Sequence, residues 1–315
     1  MKKGQYTDNV NNIKSVIKSN DFISKDGEII DIHDSVLENI SMDIANYMEH
    51  DSEVKIATKE KQELMSKLNQ DDEFKDYIKA NYGSFYFYFY KRLLDKIEPQ
   101  YLTRFLYLCT YANYKNKLIE DNKTRMIPIC ESELQYILGL SRRETHRTKM
   151  ALLDYNLIII KNDIIEVNSK YCKKGEIMKN KNIEKTRVFN NAIRELYEKS
   201  NPREHKKLAL LFQILPYINL RWNVVCKNVN EEIKENIEYY SLKELMFLLG
   251  QTNITRFKND LLNLTVGGES VVLIQLANKN NCILINPKIY YKGTQLDDLK
   301  YIENDIKMLS NNKNN

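Results

Sequence analysis

Three landmarks occur twice, in the same order, along this 315-residue chain, and they constrain its fold more than any other feature. Tyr111-Ala112-Asn113-Tyr114-Lys115-Asn116 is answered by Tyr217-Ile218-Asn219-Leu220-Arg221-Trp222-Asn223, each after an apolar stretch. Glu133-Leu134-Gln135-Tyr136-Ile137-Leu138-Gly139 is answered by Glu244-Leu245-Met246-Phe247-Leu248-Leu249-Gly250. Asn168-Ser169-Lys170-Tyr171-Cys172-Lys173-Lys174-Gly175 is answered by Asn286-Pro287-Lys288-Ile289-Tyr290-Tyr291-Lys292-Gly293, with Asn, Lys, Lys and Gly at identical spacing. Offsets of 106, 111 and 118 residues leave room only for small insertions. The pattern predicts two copies of one domain, over 84–176 and 186–296, joined by the polar stretch Glu176-Ile177-Met178-Lys179-Asn180-Lys181-Asn182. Residues 1–80 precede them. The remainder, 297–315, predicts a short amphipathic helix through Met308 and a tail that frays from Asn311.

Each copy has the same order of periodicities. In the first, Phe85 to Ile97 and Gln100 to Asn113 have helical apolar spacing, with Glu98-Pro99 between them. A β-prone piece, Arg125 to Ile129, precedes a helix from Ser132 to Leu138 that Gly139 stops. Ser141, with Glu144 three residues on, has the form of a capping box opening a further helix through Arg147, Met150 and Leu153. The period then falls to two: Leu157 to Ile160, a turn at Lys161-Asn162-Asp163, and Ile164 to Asn168 predict a hairpin. In the second copy Val188 to Lys199 and Arg203 to Asn219 are the leading helices, and Leu242 to Leu249 is stopped by Gly250. Thr252 or Asn253 caps the next helix, and Val271 to Leu276 with Cys282 to Ile285 forms the hairpin through Asn278-Lys279-Asn280-Asn281. Helix, tight turn, helix, hairpin is the order of a winged helix-turn-helix. The expected class is mainly α (α+β): two tandem winged helices preceded by a small, mostly helical acidic region.

Charge separates along the same lines. The overall +5 hides 11 basic against 17 acidic residues in 1–80, a net of −6, which leaves +11 on 81–315. An acidic head on a basic body points to contact with nucleic acid by the basic part. Other classes are excluded. Only nine glycines are present, with no P-loop and no dinucleotide fingerprint. The four histidines, His33, His50, His146 and His205, have no metal-ligand spacing, so neither metal hydrolysis nor strand nicking by a His-bound metal is expected. Five cysteines without a Cys-x-x-Cys pair predict reduced thiols, and no apolar stretch reaches the roughly 20 residues of a membrane span. The expectation is a cytoplasmic, non-enzymatic protein without cofactor or metal.

The helix after the tight turn is the one that fits a major groove. In the first copy it brings Ser141, Arg142, Arg143, His146, Arg147 and Lys149, with Arg142/His146 and Arg143/Arg147 each four apart on one face. Arginine can donate two hydrogen bonds to guanine or grip phosphate. The second copy offers the less charged Thr252, Asn253, Thr255, Arg256 and Lys258. Lys161, Lys279 and Asn280 at the hairpin tips complete the candidate DNA contacts. The run Phe85-Tyr86-Phe87-Tyr88-Phe89-Tyr90 fits core or dimer-interface packing better than a base-stacking platform.

A leading helix ending in Tyr-x-Asn, a helix-turn-helix, a hairpin, and the closing Ile285-Asn286-Pro287-Lys288-Ile289-Tyr290-Tyr291-Lys292-Gly293 resemble the winged-helix replication proteins of low-GC Gram-positive plasmids and phages, and also MarR-type regulators. The resemblance covers residues 85–295 and leaves 1–80 unmatched. It implies an origin-binding initiator without a catalytic site. Such a protein binds AT-rich direct repeats in double-stranded DNA, recruits host replication proteins and can form a homodimer. The alternative is a transcriptional regulator of a mobile element.

Overall fold

The computed structural model describes residues 22–23, 29–30, 34–92, 97–122, 125–175, 184–277 and 280–311. Helix occupies about 51% of the chain and strand 20%, so the class is mixed α+β. The chain divides into two compact units, Met1–Gln70 and Asp71–Asn315. In the first, β1 (Phe22–Ile23) pairs antiparallel with β2 (Ile29–Ile30), and α1 (Asp34–Asn81) begins. Among the described residues no helix is long and apolar enough to cross a membrane.

The second unit contains both repeats. Its first half runs β3 (Phe85–Tyr88), α2 (Pro99–Cys109), β4 (Ile119–Asn122), β5 (Arg125–Pro128), α3 (Leu134–Leu138), α4 (Arg142–Asp154), β6 (Ile158–Lys161), β7 (Ile164–Val167) and β8 (Cys172–Lys173). Its second half runs β9 (Thr186–Phe189), α5 (Asn190–Lys199), α6 (His205–Gln213), α7 (Leu242–Leu248), α8 (Ile254–Leu262), β10 (Thr265–Val266), β11 (Glu269–Ser270), β12 (Val272–Ala277), β13 (Asn280–Ile285), β14 (Tyr290–Tyr291) and α9 (Leu296–Asn311). The polar stretch expected between the copies has residues 176–183 outside the described set.

Equivalent backbone hydrogen bonds close both halves. Leu118 donates to Ile165 and Val225 to Ile283, both at 2.9 Å; Val167 donates to Asn116 at 2.8 Å and Ile285 to Asn223 at 3.1 Å; Asn168 donates to Leu157 and Asn286 to Val271, both at 2.8 Å. Asn116 and Asn223 share a left-handed backbone, φ 62° and 53°, a conformation asparagine tolerates better than most residues. The side-chain amide of Asn116 donates to the Cys172 carbonyl, while that of Asn223 donates to Ile285 and, at 3.4 Å, to Tyr290, the counterpart of Cys172.

The leading segments depart from expectation. Phe85 to Tyr88 is a strand, not the start of a helix, and Thr186 to Phe189 is another, so the second leading helix begins at Asn190 rather than Val188. The reason is period two: Tyr86 and Tyr88 point into the core while Phe85 and Phe87 are half-buried, an alternation that suits aromatic residues on a pleated surface. The four-stranded sheet has order β14-β9-β3-β8. In it β3 and β9 pair antiparallel, Tyr86↔Val188, Phe87↔Arg187 and Tyr88↔Thr186. Phe89 donates to Tyr171 as Phe189 donates to Ile289, so each residue of β3 corresponds to the one 100 positions on. Phe87↔Arg187 therefore lies on a local two-fold axis. Leading helices α2 and α6 pack against each other, α2 also against α4 and α6 against α8.

Other boundaries shift for local reasons. Helix α2 stops at Cys109, short of Asn113, whose side chain instead accepts from the amides of Lys115 and Lys117. Helix α6 stops at Gln213, before Pro216 within the 3-10 turn Leu215–Tyr217. Glu131–Glu133 is a 3-10 turn, with α3 starting at Leu134 instead of Ser132. The C-terminal helix reaches Asn311 and buries Leu299, Ile302 and Ile306, while Glu303 accepts from Tyr77 at 2.6 Å and from Tyr82. All five cysteines are free thiols.

Candidate nucleic-acid interface

Local chemistry places the turn and the helix after it. Gly139, at φ 60°, ends α3 in the left-handed conformation that costs glycine nothing, and Gly250, at φ 67°, does the same after α7. Ser141 Oγ accepts from the Glu144 amide at 3.3 Å and so caps α4; on the other copy Asn253, not Thr252, accepts from Arg256 at 2.8 Å and caps α8.

The Ser141 cap is only half of the expected box. Glu144 does not return its carboxylate to the Ser141 amide; Oε1 instead accepts from Arg104 Nη1 at 2.7 Å. Arg104 lies on α2 and is 2% exposed, an arginine buried with its charge. Nη1 also donates to Thr148 Oγ1 at 2.8 Å, and Nε donates to His205 Nδ1 at 3.2 Å. Because Nδ1 accepts, the network assigns the histidine proton to Nε2. Burial, and then the Arg104 charge, push His205 down to about 4, so it is neutral at physiological pH. His205 stacks on Tyr197 at 4.3 Å, Tyr197 on Tyr107 at 3.8 Å, and the Tyr197 hydroxyl donates to the Leu138 carbonyl beside the turn. This chain of contacts joins α4 and its turn to the leading helices of the second copy.

With Glu144 drawn inward, the outer face of α4 is left basic. Arg142, Arg143, His146 and Arg147 are all exposed and line one open depression. Only Arg147 faces a carboxylate among the described residues, Glu144 at 3.8 Å. Lys149 turns away from this face, half-buried, and binds Glu131 at 2.5 Å. Lys161 precedes the two-residue tip Asn162-Asp163, at φ 49° and 65°, and lies 3.6 Å from Glu166.

In the second copy Thr255, Arg256 and Lys258 are exposed along α8, and Thr252 and Asn253 are exposed just before it. Arg256 faces Asp260 one turn on at 3.7 Å, and Asp260 also meets Lys207 of α6 at 3.3 Å. Asn280 begins β13, while Lys279 lies outside the described residues. Of the residues that organise the site, Arg104 and Asp260 carry no signal in the sequence, His205 enters it only as a histidine without metal-ligand spacing, and Glu144 only as a capping residue. The spacing of Glu144 after Ser141 signals a cap, and nothing in it announces a partner 40 residues earlier. No protein-family model, curated protein or solved structure matches the chain.

Proposed function

We propose that the chain is a sequence-specific double-stranded DNA-binding protein built on two winged helices, acting as a plasmid or phage replication initiator. The observation that carries this is α4: a helix directly after a tight turn and before a hairpin, with Arg142, Arg143, His146 and Arg147 exposed and its acid withdrawn to Arg104. A major groove about 12 Å wide accepts one helix, where arginine can take guanine O6 and N7 together or grip phosphate. Lys161 extends from the hairpin toward the adjacent backbone. Helix α8 supplies a second, weaker set in Thr252, Asn253, Thr255, Arg256 and Lys258.

The two-fold pairing of β3 with β9 supports one further specification. Helices related by a local two-fold axis meet half-sites in opposite orientations. A single chain then occupies an inverted two-part site with unequal halves, and direct repeats at an origin are repeats of that whole unit. Host replication proteins are the partners the role requires.

Selection of duplexes from a random pool with the full chain tests the reading, with an inverted, unequal two-part site as the expected product. Enrichment of no duplex would overturn it. Supplying the gene to a replicon that lacks its own initiator then tests the biological role. Rescue is expected; binding without rescue assigns the same surface to an operator.

A further inference from the structure

Tyr136 and Phe247 occupy the same position in the two copies. Each lies three residues before the left-handed glycine, and each carbonyl accepts that glycine's amide, Gly139 to Tyr136 at 3.1 Å and Gly250 to Phe247 at 3.0 Å. Two residues earlier Leu134 and Leu245 are both buried. The rings are not: Tyr136 is 83% exposed and Phe247 60%. One exposed aromatic needs no explanation. A large ring held in solvent at one position of both copies is different, because the flanking pairs Gln135/Met246 and Ile137/Leu248 have diverged. Phenylalanine in one copy also shows that the hydroxyl is dispensable. Whatever the position does, it does with the ring face.

We infer that Tyr136 and Phe247 pack on the deoxyribose of the DNA backbone, one ring at each half-site. The inference rests on the DNA-binding reading, which sends the helix before the turn across the backbone while the next helix enters the groove. Paired bases offer no ring face there, and the sugar is the apolar part of the backbone. Charge agrees with this occupant at Phe247, whereas Tyr136 shares a cleft with Glu120 and Glu198. Glu133 is engaged with the Cys130 amide at 2.7 Å, and Glu244 with Lys227 at 2.9 Å and the Ser241 amide at 2.8 Å. Lys243 Nζ lies 6.0 Å from the centre of the Phe247 ring, within reach of a phosphate flanking such a sugar.

The test uses the full chain and, as probe, the duplex it selects from a random pool. Tyr136→Phe should bind as the parent does. Tyr136→Ala and Phe247→Ala should each lose about tenfold in affinity, at every salt concentration and with the same preferred sequence. The slope of log affinity against log salt should stay unchanged, since no phosphate is neutralised by a ring. The Arg143→Ala, Arg147→Ala double variant serves as the contrast, because losing phosphate contacts flattens that slope and losing base contacts relaxes the preferred sequence. Both rings are exposed, so far-UV spectra and melting of the alanine variants should match the parent. Unchanged binding by both alanine variants, with the arginine dependence intact, would overturn this inference alone and hand the rings to a protein surface. A changed sequence preference would also overturn it, by making the contact one to a base. Failure of the parent to enrich any duplex removes this inference together with the DNA reading.

Discussion

Helices α4 and α8 hold the same place in their copies, and in each an acid on the helix is held from a leading helix while one arginine of its own helix stays near it. Glu144 in the first turn of α4 is pulled toward the core by Arg104, leaving the basic face largely uncompensated. Asp260 on α8 is met by Lys207 from α6 but still stands opposite Arg256. A leading helix therefore holds the acid in both copies, through a buried guanidinium in the first and the half-exposed Lys207 in the second. The difference lies in the basic residues left over: Arg142, Arg143 and His146 stay exposed on α4, against Lys258 on α8. It predicts that affinity for a polyanion comes mainly from the first copy, and the second is left to discriminate through Thr252, Asn253 and Thr255.

The largest test removes the hidden cation. Arg104→Met leaves Glu144, Thr148 and His205 without their common donor and should cost about 3 kcal/mol of unfolding free energy in a denaturant titration. It should also weaken DNA binding, as Glu144, already 3.8 Å from Arg147, becomes free to close on it. An unaltered midpoint would show that the buried network does not hold α4. Next, Arg143→Ala and Arg147→Ala should each lose about 1–3 kcal/mol of specific affinity if they meet a base, against under about 1 kcal/mol for Arg256→Ala. Equal losses in the two copies would break the asymmetry.

His205 gives an effect that depends on pH. Its pKa is depressed in the folded chain, to about 4 against an ordinary 6.5, so the unfolded state binds the extra proton between those values. Stability should fall as pH drops from 6.5 toward 4, and His205→Asn should flatten that part of the profile. The smallest change is Asp260→Asn. By releasing Arg256 and Lys207 from a half-buried carboxylate it should raise DNA affinity by no more than about 1 kcal/mol, lost at high salt.

The order of helix, turn, helix and hairpin was legible because its signals are local: Gly139 and Gly250 after short apolar helices, Ser141 and either Thr252 or Asn253 as caps, and a turn at Lys161-Asn162-Asp163, of which Lys161 proves to be the last residue of β6. The central sheet was not. Its strands are two to four residues long and come from four places in the chain, so no window holds enough alternation to outvote the helical spacing nearby. Phe85 to Tyr90 carried the period-two signal, but aromatic residues on both faces, phenylalanine on one and tyrosine on the other, concealed which one was buried. Arg104 carries no sequence signal of burial, because arginine on an apolar helix usually extends its head to water. Its burial depends on Glu144 and His205, residues that only tertiary structure brings near.

The antiparallel β3–β9 pair has a consequence for assembly. Two identical single-copy chains would form the same contact about a true two-fold axis, and their union would depend on concentration. Here the partners belong to one polypeptide, and the tether fixes an effective concentration that dilution cannot lower. A cut between the copies restores the concentration dependence: the halves become a heterodimer that mass action can separate and rejoin.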